Sequence, residues 1–129
     1  MDGALVKIRE ALPHVELVQV IHVVDDQALV EAQYAAFLVD ALLLDSGNPN
    51  LAVKELGGTG RIHNWEISRQ IVKHSPIPVF LAGGLKASNV AQAVSEVQPF
   101  GLDLCSGVRT KGNLDAKMLA DFFCAIPVE

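Results

Sequence analysis

The sequence predicts an α/β fold of four parallel βα units in the order αβαβαβαβα. Apolar runs rich in Val, Ile and Leu alternate with segments of helical periodicity. The runs begin at residues 17, 41, 78 and 101, so successive runs are 24, 37 and 23 residues apart. Such intervals accommodate a strand and a crossover helix. Because the runs are almost continuously apolar, they are typical of parallel strands covered on both faces.

The first elements follow from local patterns near the N-terminus. Residues Asp2–Leu12 are predicted to form an extra helix ahead of the first strand. The β-branched run Leu17–Val24 favours that strand. The amphipathic segment Ala28–Leu38 predicts a helix, and Asp25 and Asp26 offer an N-cap for it.

The middle of the chain contains the second strand and the longest connection. Ala41–Leu44 is a short buried run, closed by Asp45 and the turn-forming residues after it. The turn-rich loop of Gly57, Gly58, Thr59 and Gly60 follows. Residues Trp65–Lys73 then predict a helix, with Trp65 as a core residue or an anchor of the helix start.

The last two units repeat the pattern. Pro78–Leu81 is predicted as the third strand, ended by Gly83 and Gly84, and Ser88 is expected to cap a helix that runs to Val97. Leu102–Cys105 is predicted as the fourth strand. Residues Asp115–Ile126 predict the last helix, with an apolar face that includes Cys124.

Composition excludes several classes of protein. The chain has 129 residues, 50% hydrophobic and 19% charged, with a net charge of −5, so we expect one compact domain over residues 1–129. No apolar run reaches the roughly 18–20 residues of a membrane span, and no signal-peptide pattern precedes the first strand. The acidic balance does not favour nucleic acid as a partner. Two cysteines make no disulfide framework, so a reducing, cytoplasmic location is expected.

Two architectures accommodate four βα units: an open doubly wound sheet, or half of an eight-stranded (βα)8 barrel. A complete barrel takes roughly 200 residues or more, so this chain is too short to form one alone. Both architectures place their sites at the carboxyl ends of the strands.

Two aspartates lie where such a site is expected. Asp45 directly follows a buried strand, so its carboxyl group is partly desolvated and suited to general acid catalysis. The alternative is a turn cap bonded to the backbone of Gly47 or Asn48, which the spacing by itself favours. Asp103 alternates with its apolar neighbours and faces the other side of its strand, where it is either a barrel-interior group or a paired interior charge.

Small residues close the last two strands. Gly83 and Gly84 follow the third strand, and Ser106 and Gly107 follow the fourth. Such turns let backbone N–H groups approach an anion, and the loops after the last two strands of barrels recurrently bind phosphate. A pair of tight turns without a ligand is an equally good interpretation. Cys105, beside this region, is interpreted as a small buried residue rather than a nucleophile.

Four motifs occur in an order that resembles one family. They are Asp40-Ala-Leu-Leu-Leu-Asp-Ser46, Gly57-Gly-Thr-Gly60 followed by Trp65, Leu81-Ala-Gly-Gly-Leu85 followed by Asn89, and Asp103-Leu-Cys-Ser-Gly-Val108. Together they resemble the C-terminal half of the phosphoribosylanthranilate isomerase family, enzymes of tryptophan biosynthesis. The resemblance covers about residues 15–126.

The resemblance implies half of a (βα)8 barrel, units five to eight preceded by one helix. It also implies an Amadori rearrangement of N-(5-phosphoribosyl)anthranilate, without a cofactor or a metal. In that family's pattern Asp45 is the general acid, and Gly83, Gly84, Ser106 and Gly107 bind the phosphate group. The loop of Gly57, Gly58, Thr59 and Gly60 corresponds to the family's mobile loop, although by itself it is more typical of a surface connection.

The family's base is a cysteine in a Lys-Ile-Cys-Gly stretch on the first barrel strand, and these 129 residues contain no such stretch. The sequence therefore leaves three hypotheses. The chain is an isomerase whose other half comes from a second chain, a non-catalytic half-barrel that binds a phosphorylated ribose, or a truncated fragment that oligomerises. Because the outer strands would have apolar edges, we expect a homodimer or a larger oligomer.

Overall fold

A four-stranded parallel sheet forms the centre of the computed structural model, which describes residues 3–46 and 65–128. The strands are β1 (Val18–His22), β2 (Ala41–Asp45), β3 (Val79–Ala82) and β4 (Gly101–Leu102). Each strand pairs in parallel with the next one along the chain, in the order β1-β2-β3-β4. The predicted parallel α/β fold is therefore confirmed.

Five α-helices accompany the sheet in the described ranges: α1 (Ala4–Ala11), α2 (Gln27–Ala35), α3 (Trp65–His74), α4 (Val90–Val97) and α5 (Ala116–Ala125). Every helix and strand of the sheet begins and ends within three residues of its predicted bounds. Helices α2, α3, α4 and α5 contact one another in that order. Four parallel strands in chain order, joined by right-handed crossovers, place their helices in one such layer.

The core lies between the sheet and this layer of helices. The register aligns Ile21, Leu44 and Leu81 at one level of the sheet, and all three are buried. The opposite face is less buried. Val20 and Phe80 lie on it, each one residue earlier on its strand. Val20 is 41% exposed, and Phe80 is only partly buried. Within the described residues, this second face has no covering layer, and we call it the open face.

Strand β4 is shorter than predicted. The strand was expected to run to Cys105, but it ends at Leu102. The backbone N–H of Asp103 still donates to the carbonyl of Leu81, at 2.9 Å. The chain then turns into a 3₁₀ segment, Ser106–Val108. The alternation around Asp103 therefore lies beyond the end of the paired strand.

An unpredicted hairpin precedes the last helix. Strands β5 (Arg109–Thr110) and β6 (Asn113–Leu114) pair antiparallel. The two residues between them, Lys111 and Gly112, have φ angles of 53° and 83°. Left-handed conformations at both turn positions suit a two-residue hairpin, and glycine adopts them without steric cost.

Helix starts differ in how they are capped. The N-cap of helix α4 is Asn89, one residue after the expected Ser88, and the helix begins at Val90. The carboxylate of Asp115 accepts from the N–H groups of Lys117 and Met118 at the start of α5. At the start of α2, the N-cap residue Asp26 makes no side-chain capping bond, and the carboxylate of the preceding Asp25 accepts instead from the N–H of Gln27 at 2.9 Å.

Asp40 links the N-terminal helix α1 to the sheet. The Asp40 carboxylate accepts from the backbone N–H of Leu17 at 2.8 Å and lies 3.1 Å from the Arg9 guanidinium. The Leu17 bond foremost, together with the Arg9 charge, holds the pKa of Asp40 below its ordinary value. In the described residues no helix is both long and apolar enough to cross a membrane.

Both cysteines are exposed, which corrects two predictions. Cys105 lies beyond the end of β4 and not within a buried strand. On α5, Phe122 is buried, whereas Phe123 and Cys124 point away from the core. A helix against one layer buries positions three or four residues apart, so adjacent apolar residues cannot all be core. Trp65 is buried at the start of α3, as expected.

Candidate active site at the carboxyl ends of the strands

The carboxyl ends of the strands bring polar side chains to one level of the open face. His22, Asp45 and Ala82 are paired across β1, β2 and β3. Asp103 follows Leu102, which pairs with Leu81, so Asp103 continues the same row just beyond β4. Because alternate residues of a strand face the same side, this row lies on the face opposite the helices.

Asp45 ends strand β2 in a half-buried position. Its side chain is 34% exposed, and its Oδ2 lies 3.4 Å from Nδ1 of His22. The next residue, Ser46, is fully buried; its N–H donates to the Ala82 carbonyl, and its Oγ lies 2.9 Å from Oγ of Ser68 on α3. These contacts fix the backbone directly after Asp45. The possible cap partners Gly47 and Asn48 lie outside the described residues.

The turn after β3 has the conformation that its glycines were expected to provide. Gly83 and Gly84 have φ angles of 101° and 67°. The Asn89 side chain holds the turn, since its Nδ2 donates to the Gly84 carbonyl and its Oδ1 accepts from the N–H of Lys86, both at 2.9 Å. Helix α4 begins directly after Asn89, so its N-terminus lies beside the turn.

The turn after β4 packs directly on the turn after β3. A Cβ atom at Gly107 would collide with the carbonyl oxygen of Leu85. Only a residue without a side chain allows this approach. The two glycine turns, predicted separately from the sequence, are therefore in contact.

These turns present several backbone donors. Among the hydrogen bonds of the described residues, none uses the N–H groups of Gly83, Gly84, Ser106 or Gly107. Backbone N–H groups in left-handed and 3₁₀ turns beside a helix N-terminus form anion-binding concavities. The arrangement is chemically suited to a phosphate group next to a carboxylic acid.

Asp103 is exposed and in the same row, but farther from Asp45 than His22 is, because Ala82 lies between them. The expected mobile loop, Gly57, Gly58, Thr59 and Gly60, lies outside the described residues. Within the described ranges, no group of three or more His, Cys, Asp or Glu side chains is placed to hold a metal ion.

A cavity of about 420 Å³ lies elsewhere, between α2 and α3. Its lining includes Phe37 and Pro76, which precede strands β2 and β3. The cavity therefore opens towards the amino ends of these strands, away from Asp45.

Two residues that the structure places at this edge, His22 and Asn89, were not functional candidates in the sequence analysis. His22 has no local sequence pattern that connects it with Asp45, 23 residues later. Only the β1–β2 register brings them together. Asn89 had a usable signal, since an Asn after a Gly-Gly turn often bonds to nearby backbone.

The fold and this edge define a class: parallel α/β proteins with a carboxyl group and a pair of glycine turns at the carboxyl ends of the strands. Comparison with known families is consistent with that class. The family described as N-(5'-phosphoribosyl)anthranilate (PRA) isomerase matches residues 4–125. The chain belongs to this family, and the resemblance predicted from the four motifs is confirmed.

Curated relatives agree over most of the chain. It is 40% identical over 118 residues to the N-(5'-phosphoribosyl)anthranilate isomerase of Gloeothece citriformis, covering 91% of this chain and 51% of the relative. It is 34% identical over 115 residues to N-(5'-phosphoribosyl)anthranilate isomerase 2 of Methanosarcina mazei, covering 89% and 50%. The chain thus spans about half the length of the curated relatives it matches.

A solved structure of a relative has the same fold over the matched region. The phosphoribosyl anthranilate isomerase of Thermococcus kodakaraensis superposes with a TM-score of 0.72 at 28% identity. The superposition covers 95% of this chain and 57% of that one.

Proposed function

We propose that this chain is units five to eight of a (βα)8 barrel and forms the acid and phosphate half of a phosphoribosylanthranilate isomerase site. Three observations support this architecture. The four strands are parallel in chain order, the helices after them form one layer, and the matched relatives are about twice as long. In a closed barrel the open face is the interior, which explains why its residues lack a covering layer here.

The proposed reaction is the Amadori rearrangement of N-(5-phosphoribosyl)anthranilate, which converts a ribosylamine into an open-chain ketose. Opening the ring requires a proton on the ribose ring oxygen, and forming the ketose requires removal of the C2 proton. Asp45 donates the first of these protons. The backbone N–H groups of Gly83, Gly84, Ser106 and Gly107 hold the 5-phosphate, which places the sugar ring over Asp45.

One observation supports this assignment most directly. Asp45 pairs with Ala82, and Ala82 is followed at once by Gly83 and Gly84. The acid and the anion-binding turn are thus on adjacent strands at the same edge. This placement of Asp45 beside the turn suits a substrate whose phosphate group is attached to the sugar ring that Asp45 protonates.

The base must come from outside these 129 residues. They contain no Lys-Ile-Cys-Gly stretch, and the exposed thiol of Cys105 follows the fourth strand rather than the first. A general base typically contributes about 10²–10⁴-fold in rate. We therefore propose that full activity requires the first four barrel units, on the same polypeptide or on another one.

The test combines the chain with a complementary half. We suggest co-expressing it with the segment of the Gloeothece citriformis relative that precedes the matched region, and following the fluorescence decay of phosphoribosylanthranilate. We expect turnover that falls at least about 10²-fold in Asp45→Asn. Asp121→Asn is the matched control, because Asp121 is an exposed aspartate on α5, paired with Lys117. Equal activity in Asp45→Asn and the parent would refute the role of Asp45.

A second copy is the proposed partner when the chain is alone. The end strands β1 and β4 each pair with one neighbour in the described part of the chain, and Val18 and Val20 on the open face are about half exposed. Pairing the β1 edge of one copy with the β4 edge of another would close an eight-stranded ring and cover this face. Light scattering at micromolar concentration should give a dimer or larger, and a clean monomer would contradict the proposal.

The alternative is a half-barrel that binds a phosphorylated ribose without converting it, or a truncated fragment that only oligomerises. The missing base stretch favours these alternatives. Calorimetry with ribose 5-phosphate separates them, because a binder gives heat without turnover and the fragment gives neither. We also propose a cytoplasmic location, where exposed thiols such as Cys105 and Cys124 stay reduced.

A further inference from the structure

Among the described residues, His22 has its side chain in contact with the carboxyl group of the proposed acid. It ends β1 directly opposite Asp45 in the register, and its Nδ1 lies 3.4 Å from Oδ2 of Asp45. The imidazole is 67% exposed, whereas the carboxyl group is 34% exposed. His22 therefore reaches from the acid towards solvent.

The proposed reaction requires the acid to recover a proton in every turnover. Substrate and product are isomers, so the reaction has no net proton uptake. Within one turnover, however, Asp45 loses a proton to the ring oxygen, and the distant base gains the proton from C2. Asp45 must then be reprotonated from solvent before the next cycle. A group that contacts both water and the carboxylate can perform this step.

We infer that His22 is a positioning residue that orients Asp45 and returns its proton, an inference that rests on the proposed function. The 3.4 Å contact is longer than an ordinary hydrogen bond, and in the proposed cycle it shortens as the Nδ1–H of the neutral ring donates to Oδ2 and fixes the carboxyl group. After Asp45 has given up its proton, Nε2 takes a proton from water and Nδ1 passes its proton to Oδ2, while the distant base releases the C2 proton to water. The ring then holds its proton on Nε2, and exchange with water restores the starting tautomer, so the proton count balances.

The other acids of this edge are placed differently. The carboxylate of Asp25 accepts from the N–H of Gln27, and Asp26 follows it at the start of α2. Asp103 is separated from Asp45 by the strand that contains Ala82. For Asp45 alone among them, the structure gives a contact with the His22 ring.

The first test does not depend on turnover. Which imidazole nitrogen has the proton is set by the hydrogen bond that the ring makes, and long-range ¹H–¹⁵N NMR distinguishes the two tautomers. We expect neutral His22 to be the Nδ1–H tautomer in the parent chain and to shift towards Nε2–H in Asp45→Ala. His74 is the internal reference, because its Nδ1 lies 2.9 Å from the Gln70 carbonyl, which only accepts.

The second test measures turnover in the assembly with the complementary half. We expect His22→Gln to lower kcat about 10²-fold with little change in KM. Added imidazole should restore kcat in His22→Gln in proportion to its concentration, and should not restore it in Asp45→Asn. His74→Gln, on the outer layer of helices, is the matched control and should retain parental kcat.

The outcomes separate the two proposals. A His22 ring that is Nε2–H in the parent and unchanged by Asp45→Ala would overturn the pairing. So would parental kcat in His22→Gln. If the tautomer follows Asp45 but the parental assembly converts no substrate, the proposed function fails while the pairing stands.

Discussion

Gly107→Ala is the substitution whose effect follows most directly from the structure. A methyl group at this position would overlap the Leu85 carbonyl oxygen, and would lie 3.0 Å from the Leu85 carbonyl carbon and 3.2 Å from Cα of Lys86. All three atoms belong to the backbone, so no side-chain rotation relieves the overlap. The two glycine turns would have to separate.

The expected loss of folding stability is at the upper end of the range for overpacking. Inserting a methyl group into a packed site typically costs about 1–3 kcal/mol, and we expect about 3 kcal/mol here because backbone must move. For a chain of this length each kcal/mol lowers Tm by about 3–5 °C, so Tm should fall by roughly 10 °C. Separation of the turns should also weaken binding of ribose 5-phosphate.

Two glycines provide matched controls for thermal unfolding followed by circular dichroism. Gly112 has a φ of +83° but nothing within 4 Å of a Cβ, so Gly112→Ala tests backbone strain alone, at about 1–2 kcal/mol. Gly3 has open space and a φ of −90°, so Gly3→Ala should change Tm little. If Gly107→Ala melts within 2 °C of Gly3→Ala, where 2 °C is roughly the effect of half a kcal/mol, the contact between the turns is refuted.

The other predictions concern the core and the contacts of Asp40 with Leu17 and Arg9. Leu42→Ala should cost about 3–4 kcal/mol in urea unfolding, because Leu42 is fully buried, whereas Val20→Ala on the open face should cost under about 1 kcal/mol at a protein concentration low enough to keep the chain monomeric. Similar losses would contradict the distinction between the two faces. Asp40→Asn should be less stable than the parent at pH 7, because it lacks the charge that the Leu17 N–H and Arg9 stabilise. The depressed pKa of Asp40 means that the parent keeps this advantage above about pH 4 and loses it as the pH falls through the folded-state pKa. A difference that persists unchanged at pH 2 would show that charge is not the cause.

The repeated spacing was enough to predict the sheet, because each βα unit is a local pattern. Strand β4 was predicted too long for the same reason. Leu102, Asp103 and Leu104 alternate as a strand would, yet pairing depends on how far β3 extends, which no local pattern contains. The β5–β6 hairpin was missed because Lys111-Gly112 is a weak turn signal.

The placement of the candidate residues was predictable where it depends on the ends of single strands. Asp45, Gly83 and Gly107 were each identified from the residues that follow an apolar run. The contact of Gly107 with the Leu85 carbonyl and the pairing of His22 with Asp45 depend on register and loop packing between separate segments. Sequence patterns within one segment cannot encode such distances.

In this chain, a partner that closes the sheet would also complete the proposed site. His22, Asp45 and Asp103 lie on the open face, the same face that leaves Val20 half exposed. A partner that covers the apolar part of this face must also enclose the polar row at its carboxyl edge, because both are presented by the same strands. Covering the apolar part of the face lowers the dielectric constant beside the row, which strengthens every hydrogen bond to a bound phosphate and to Asp45. A ligand that binds only the closed form then stabilises the association by the same free energy with which association strengthens its binding.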